Sequence, residues 1–395
     1  MFSFFIFEVK EEREMKAVVF HDVGDIRLDI VPDPKIESPT DAIIRLTSSA
    51  ICGTDLHMVR GTMPGMQQGT ILGHEGVGII EDIGPKVRNF KKGDRVLVPS
   101  TISCGSCSYC RAGYTSQCDT ANPNGSRAGT SFFGGPKPTG PINGLQAEYA
   151  RIPFANAILI PLPDEIDDDR AILLSDILPT GYFGAQLAEI KEGDTVAVFG
   201  LGPVGQFALA SAKLFGANRV IGVERVQSRI EMARAQGAEV VDFSQEDPVA
   251  EILELTGGIG VDRVVDAVGV DAESQQATKE QAQQGGPGKP DSGPEQALSW
   301  AIGSIAKAGT VGIIGVYPPG FHTFPLGEAM NMNLTLKMGN CNHRTIFPHL
   351  LPLVQSGSLD PVRVLTQREP MMGAIEAYQA FDKHEPGWVK AELKV

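Results

Sequence analysis

The chain has 395 residues, 42% of them hydrophobic, and its 34 basic against 48 acidic side chains give a net charge of −14. These values fit a globular protein of two or three domains, and the acidic balance argues against a nucleic-acid-binding surface. No apolar run approaches the ~20 residues of a membrane helix. Six cysteines are too few for a disulfide scaffold, yet four of them fall within residues 104–118.

Residues 1–14 precede the first clear strand pattern and are interpreted as an amino-terminal extension. The stretch 1–7 is apolar but short, without a basic segment before it or a small-residue cleavage site after it, so it does not predict a secretion signal. Either an alternative start at Met15 or an extra edge strand fits these residues. We therefore expect a cytoplasmic protein, in which thiols stay reduced and clustered cysteines usually bind metal.

The chain from residue 15 to 172 is rich in glycine, proline and short β-branched runs. Runs of this length, separated by turn residues, predict a β-rich domain. The predicted strands include Ala17–Phe20, Asp41–Leu46, Gly76–Ile80 and Arg95–Val98.

Strands and helices alternate over residues 173–317, which predicts βαβ units and a parallel sheet. The β-rich texture returns over 318–395, with a helix at Met372–Asp382. The predicted fold class is therefore α/β, with a parallel-sheet domain enclosed by a discontinuous β-rich one. The glutamine-, glycine- and proline-rich segment 273–296 predicts a surface loop.

A glycine-rich turn, Gly200-Leu-Gly-Pro-Val-Gly205, follows the strand Asp194–Phe199 and opens a helix. In this context the turn predicts a dinucleotide site with pyrophosphate at the helix N-terminus, although a purely structural turn is the alternative. Glu224 ends the next strand, where a carboxylate accepts ribose hydroxyls and repels a 2′-phosphate, so NAD is favoured. Arg225 and Arg229 leave NADP possible.

Four cysteines, Cys104, Cys107, Cys110 and Cys118, lie on one short loop. Four thiolates complete a tetrahedral structural zinc site. An iron–sulfur cluster is the alternative, but its common bacterial pattern has a shorter last gap and a proline where Asp119 stands. The sequence therefore predicts a structural zinc.

Cys52 and His74 are zinc-competent residues upstream of that loop, and an open catalytic zinc site needs three protein ligands. The third ligand must come from elsewhere, and Asp176 lies near the predicted domain junction. From spacing alone, the more usual interpretations are a core cysteine and an aspartate that caps a helix or faces solvent.

The motifs Cys52-Gly-Thr-Asp-Leu-His57 and Gly73-His-Glu-Gly-Val-Gly78, the four-cysteine loop and the Gly200–Gly205 turn occur in this order. Together they resemble the zinc-dependent medium-chain alcohol dehydrogenases, over residues 15–395. Ser-Asp-Ile-Leu-Pro-Thr-Gly around Asp176, with aspartate instead of cysteine as third ligand, is similar to the glutathione-independent formaldehyde dehydrogenase branch. That branch also carries a long loop comparable with 273–296, whereas the C-terminal region is less similar.

The resemblance implies a GroES-like catalytic domain, a Rossmann domain, two zinc ions and hydride transfer between an alcohol or aldehyde and NAD(P). It implies catalytic zinc ligation by Cys52, His74 and Asp176, with Glu75 as an intermittent ligand, and a proton relay from Thr54 to His57. It also implies cofactor contacts at Gly53, Thr54, His57, Thr180, Gly200, Gly202, Pro203, Val204, Gly205, Glu224, Arg225, Arg229, Val268, Gly269, Gly315 and Val316.

Several alternatives remain at this point. A polyol, sugar or amino-alcohol dehydrogenase, an aldehyde-dismutating enzyme, a zinc-free quinone reductase and a binding module without turnover are the competing functions. Family resemblance suggests a homo-oligomer, a tetramer before a dimer. Substrate choice is expected to depend on loop side chains such as Met58, Phe132, Phe133 and those of residues 317–321, and Cys341 has no predicted role.

Overall fold

A computed structural model describes residues 13–269, 295–317, 321 and 324–395. Its strands are β1 (Glu14–Asp22), β2 (Asp25–Pro32), β3 (Ala42–Ile51), β4 (Gly76–Ile83), β5 (Arg95–Val98), β6 (Tyr149–Ile152), β7 (Ile160–Pro161), β8 (Thr195–Phe199), β9 (Arg219–Glu224), β10 (Glu239–Asp242), β11 (Val261–Asp266), β12 (Ile305–Ile313), β13 (Thr335–Met338), β14 (Gln367–Pro370) and β15 (Ala391–Lys394).

The helices pack around these strands. They are α1 (Gly53–Arg60), α2 (Ser108–Arg111), α3 (Ala155–Ile158), α4 (Asp168–Leu174), α5 (Ile177–Leu187), α6 (Pro203–Leu214), α7 (Gln227–Ala235), α8 (Pro248–Leu255), α9 (Glu295–Ser304), α10 (Leu326–Asn331), α11 (His343–Gln355) and α12 (Ala374–Asp382). Within the described residues, no helix combines the length and apolarity that crossing a membrane requires.

The parallel sheet has the strand order β10-β9-β8-β11-β12-β13. This is the strand order of doubly wound dinucleotide-binding sheets. In such sheets, ligands bind at the carboxyl ends of the strands, at the point where the strand order reverses. Here that point lies between β8 and β11. Strands β8 and β11 are buried on both faces because helices cover the sheet,. The Gly200–Gly205 turn leaves β8 at this point.

The sheet extends beyond the expected domain end at residue 317, because β13 pairs in parallel with β12, Thr310 lying opposite Thr335. Strand β13 is only four residues long and half exposed. Its sequence therefore lacks the buried apolar run that marks the neighbouring strands. It is also the edge strand of the sheet.

The β-rich domain centres on a seven-stranded sheet in which β3 pairs with β4, β6 and β15. Strand β15 comes from the C-terminus, and Ala391 lies opposite Ile51 in antiparallel register. The domain is therefore built from two chain segments around the parallel sheet. Together the two sheets confirm the predicted α/β fold class.

Two predicted features fall largely outside the described residues. The extension 1–14 is described only from Arg13, and β1 begins at Glu14. The predicted loop 273–296 is described only at its end, where Glu295 and Gln296 begin α9. The described part of that segment is helical.

Candidate active site and zinc centres

The four cysteines of the loop meet at one point, their sulfur atoms all within 4.8 Å of one another. The Sγ atoms of Cys107 and Cys118 are 3.9 Å apart. Bonds of about 2.3 Å from one zinc to four sulfurs imply a sulfur–sulfur edge of ~3.8 Å. The spacing therefore fits a single tetrahedral ion, with no room for a cluster of several irons between the sulfurs.

Backbone N–H groups point at the sulfur atoms of this loop. Cys107 N–H donates to Cys104 Sγ at 3.3 Å, and Cys104 N–H donates to Cys118 Sγ at 3.2 Å. Burial alone would raise the pKa of Cys104, but hydrogen bonds from Thr120, Ser106 and the backbone lower it to about 6. Such donors stabilise thiolate, which is the form that binds metal. All six cysteines of the chain are free of disulfides.

A second cluster brings together Cys52, His74, Glu75 and Asp176, again with ligand atoms within 4.8 Å of one another and all buried. Cys52 caps the N-terminus of α1, His74 and Glu75 precede β4, and Asp176 caps α5 at the start of the parallel-sheet domain. The site thus lies where the two domains meet. The cluster unites the residues predicted as catalytic zinc ligands.

Asp55 orients two of these residues at once. One carboxylate oxygen accepts the backbone N–H of Cys52 at 2.9 Å, and the other lies 3.0 Å from His74 Nδ1. The Nε2 atom of His74 then faces Asp176 Oδ2 at 3.5 Å, and the Cys52 sulfur lies 3.6 Å from the same oxygen. A histidine held through one ring nitrogen and open at the other is the usual arrangement of a metal ligand.

Glu75 supplies a second indication that this cluster suits a cation. Its side chain is completely buried, and Oε1 accepts a hydrogen bond from the equally buried Lys390 Nζ at 2.5 Å. The second oxygen, Oε2, is buried without a hydrogen-bond partner. Because a buried carboxylate oxygen is costly to leave unpaired, and because this group belongs to the cluster, the residues present fit a zinc ion.

Binding of zinc to this cluster is expected to release about two protons near neutral pH. Burial raises the pKa of the Cys52 thiol. Burial opposes protonation of His74, but the charges of Asp55 and hydrogen bonds to Asp176 raise its pKa well above the usual value. Asp176 contributes no proton: burial favours its neutral form, but His343 and His74 hold its pKa well below the usual value.

Zinc affinity should therefore fall about 100-fold for each unit by which the pH drops, since two protons compete with the ion. The number of released protons can be measured by calorimetric titration with zinc in buffers of different ionisation enthalpy. The protein used should already carry zinc in its four-cysteine loop. A count near zero would contradict these protonation states.

A cleft of about 1550 Å³ runs from this cluster to the carboxyl edge of the parallel sheet. Thr54 and His57, three residues apart on α1, line it on one helix face. The predicted cofactor residues that line the cleft are Gly53, Thr54, His57, Thr180, Gly200, Gly202, Pro203, Val204, Gly205, Glu224, Arg225, Arg229, Val268, Gly315 and Val316.

Gly269 is the one predicted cofactor contact that does not line the cleft. It has φ +75°, and a Cβ there would lie 2.3 Å from the Val316 nitrogen. It therefore packs tightly against the Gly315–Val316 backbone, where a side chain would not fit.

The sequence also predicts that Met58 and Phe133 are loop side chains that shape substrate choice, and this prediction is wrong. Met58 and Phe133 are completely buried in the cores of the β-rich domain. Phe132 does line the cleft and contacts the His74 ring edge-on, with centroids 6.1 Å apart. Of residues 317–321, only Tyr317 and Phe321 are described; Tyr317 lines the cleft.

Glu224 lines the cleft at the end of β9, and backbone donors engage both of its carboxylate oxygens. Its Oε1 accepts from Arg225 N–H at 2.8 Å and Val226 N–H at 3.1 Å, and Oε2 accepts from Leu201 N–H at 3.0 Å. Arg229 Nη1 lies 3.5 Å from the same Oε2. The carboxylate thus ties the end of β9 to the glycine turn.

Three residues at the zinc-competent cluster are absent from the sequence interpretation: Ser100, His343 and Lys390. Ser100 Oγ and His343 Nε2 lie 2.9 and 3.2 Å from Asp176 Oδ1. The pair Cys341-x-His343 is a metal-competent spacing that could have drawn attention to His343, whereas no motif marks Ser100 or Lys390.

Comparison with known proteins agrees with this geometry. Residues 38–164 match the alcohol dehydrogenase GroES-like domain, and residues 203–286 match the zinc-binding dehydrogenase domain. The chain is 39% identical to a zinc-type alcohol dehydrogenase-like protein of Bacillus subtilis, over 96% of this chain and all of that one. It is 38% identical to a glutathione-independent formaldehyde dehydrogenase of Pseudomonas aeruginosa, over 76% of this chain and 75% of that one.

The solved structure of an alcohol dehydrogenase from Thermus sp. ATN1 superimposes with a TM-score of 0.82 at 33% identity, covering 96% of this chain and all of the other. Fold and site define a zinc-binding dehydrogenase with a GroES-like domain and a parallel-sheet domain. The chain belongs to the zinc-type alcohol dehydrogenase family, in the medium-chain class.

Proposed function

We propose that this oxidoreductase transfers hydride between a small alcohol or aldehyde and NAD, with a catalytic zinc held by Cys52, His74 and Asp176. One observation carries the proposal: the cluster of these three residues opens into the same cleft as the Gly200–Gly205 turn. When bound, zinc supplies Lewis-acid polarisation of the substrate oxygen and the nicotinamide ring supplies the hydride acceptor. We assign the four-cysteine loop to a second, structural zinc.

The protein's own residues would manage the proton. The Thr54 hydroxyl, half-buried on α1, would hydrogen-bond the substrate oxygen and accept its proton while releasing its own to the next group of the relay. His57, one turn later and 5% exposed, would accept the proton that Thr54 releases and pass it on towards solvent. Thr62 Oγ lies 3.4 Å from His57 Nδ1, which supports the ring in the orientation that a relay needs. Glu75 would bind the ion intermittently through its unpartnered oxygen.

We favour NAD over NADP because the Glu224 carboxylate at the end of β9 would repel the 2′-phosphate of NADP, since both groups are negatively charged. Arg225 and Arg229 at the same end of the cleft keep NADP as the second candidate. Initial rates with both cofactors decide the point: the proposal expects a higher kcat/KM with NAD.

A panel of alcohols and aldehydes, followed by absorbance at the reduced-nicotinamide band, tests the function itself. Turnover of simple alcohols supports the proposal, whereas turnover confined to polyols or sugars would favour the competing dehydrogenase function. Aldehyde consumption without net change of cofactor absorbance would indicate dismutation. Bound cofactor without turnover on any substrate would indicate a binding protein. A tetrameric, cytoplasmic enzyme is the accompanying proposal for assembly and location.

The two glycines of the cofactor turn should respond differently to alanine. At Gly205 a Cβ would lie 1.9 Å from the Gly200 carbonyl oxygen, whereas at Gly202 the nearest atoms, of Arg229, are 3.9 Å away. Gly205→Ala should therefore destabilise the fold by about 3 kcal/mol. Gly202→Ala should fold normally and bind cofactor about tenfold more weakly, because its methyl group occupies the space where the backbone must approach pyrophosphate.

Thermal unfolding and cofactor titration of the two variants measure the difference. Equal stability of both variants would show that the close approach at Gly205 is not required, and unchanged cofactor affinity in Gly202→Ala would place the pyrophosphate elsewhere.

A further inference from the structure

The two carboxylate oxygens of Asp176 lie in different surroundings. Oδ2 faces the cluster, 3.5 Å from His74 Nε2 and 3.6 Å from Cys52 Sγ. Oδ1 points away from it and is surrounded by three possible donors, Ser100 Oγ at 2.9 Å, His343 Nε2 at 3.2 Å and Thr180 Oγ1 at 3.3 Å. Oδ2 is therefore the oxygen of Asp176 that faces His74 and Cys52.

His343 is well placed to fix this orientation. It is 2% exposed and begins α11, and its Nδ1 lies 3.2 Å from Thr101 Oγ1. Nε2 lies within hydrogen-bond distance of Asp176 Oδ1 and Nδ1 within hydrogen-bond distance of the Thr101 hydroxyl, so both ring nitrogens have a partner,. The ring is thus fixed at both ends.

The segment that carries His343 is itself anchored to the four-cysteine loop. Ser116, two residues before Cys118, donates through its backbone N–H to Asn342 Oδ1 and through its hydroxyl to the Asn340 carbonyl, both at 3.0 Å. The placement of His343 therefore does not depend on α11 alone.

We infer that His343 is a positioning residue for the third ligand: it holds Asp176 Oδ1 so that the carboxylate presents Oδ2 alone to the metal. The inference rests on the proposed zinc site. A carboxylate without such a partner can rotate to offer both oxygens or swing away, and partners of this kind commonly change metal affinity 10- to 100-fold. Ser100 donates to the same oxygen and acts with His343.

The test compares His343→Leu, His343→Gln and the control His349→Leu, an exposed histidine on the same helix. Full-length proteins are loaded with Zn²⁺ or Co²⁺, and metal retention is measured against a chelator alongside the visible Co²⁺ spectrum. His343→Leu should lose one of its two metals about 10- to 100-fold more readily and alter the Co²⁺ bands of that site. In His343→Gln, the amide N–H can donate to Asp176, so this variant should retain most of the metal affinity and most of the wild-type Co²⁺ spectrum. His349→Leu should match wild type in both measurements.

Wild-type affinity and spectrum in His343→Leu would overturn the inference. If His343→Leu fails to fold, Thr101→Val takes its place, because it removes the hydroxyl that is hydrogen-bonded to His343 Nδ1. Thr101→Val should also weaken metal retention, and unchanged retention would overturn the inference. If the wild-type protein holds metal only at the four-cysteine loop, the proposed catalytic zinc itself fails. Neither result requires measurement of alcohol oxidation.

Discussion

Cys52→Ala is expected to lower the zinc content from two ions per chain to one and to reduce alcohol oxidation at least ~1000-fold. Cys52 provides the only sulfur in the cluster with His74 and Asp176, and an open site with two remaining protein ligands does not retain zinc against dilution. The loss of the Lewis acid removes several kcal/mol of transition-state stabilisation. Elemental analysis of purified protein and initial rates measure the two effects.

Cys341→Ala is the matched control for metal content, because Cys341 is the other buried cysteine outside the four-cysteine loop. It should keep both ions. Asp176→Ala should behave like Cys52→Ala. A variant of Cys52 that still carries two zinc ions, or an Asp176→Ala protein with full alcohol oxidation, would show that the ligand assignment is wrong.

Lys390→Met is expected to lower the free energy of unfolding by about 3–5 kcal/mol, the usual effect of removing one partner of a buried ion pair. Lys390 and Glu75 are both completely buried, and Lys390 Nζ also donates to the Ile51 carbonyl oxygen at 2.9 Å. Without the ammonium group, Glu75 is left as a buried charge with neither oxygen hydrogen-bonded. Urea unfolding of wild type and variant measures the change.

The double variant Lys390→Met with Glu75→Gln should recover most of that stability, because it removes the charge along with its partner. Lys337→Met is the matched control: it breaks an exposed pair with Glu189 and should change stability by no more than about 1 kcal/mol. If Lys390→Met and Lys337→Met have equal effects, the buried pair does not stabilise the protein in the way described.

The parts of the site that the sequence predicts are those whose residues share a short motif. The four cysteines span one loop of fifteen residues, so spacing alone brings them together, and the glycine turn has its strand and helix beside it. Cys52, His74 and Asp176 are far apart in the chain, and spacing left them as one interpretation among several. Their assembly was expected only through the family resemblance.

Lys390 could not be predicted because its contact with Glu75 depends on long-range register, and His343 is marked in the sequence only by the Cys341-x-His343 spacing. Lys390 reaches Glu75 since β15 pairs with β3 with Ala391 opposite Ile51, and nothing local to either strand encodes that alignment. Strand β13 could not be predicted for a similar reason. It has four residues and no buried apolar run, and it joins the parallel sheet through its pairing with β12.

Anomalous X-ray diffraction at the zinc edge, on crystals of the full chain, tests the central claim most directly. The claim predicts two peaks per chain, one amid the four cysteine sulfurs and one bound by Cys52 Sγ, His74 Nε2 and Asp176 Oδ2 at about 2.0–2.3 Å. A single peak, confined to the four-cysteine loop in protein that oxidises alcohols, would contradict it.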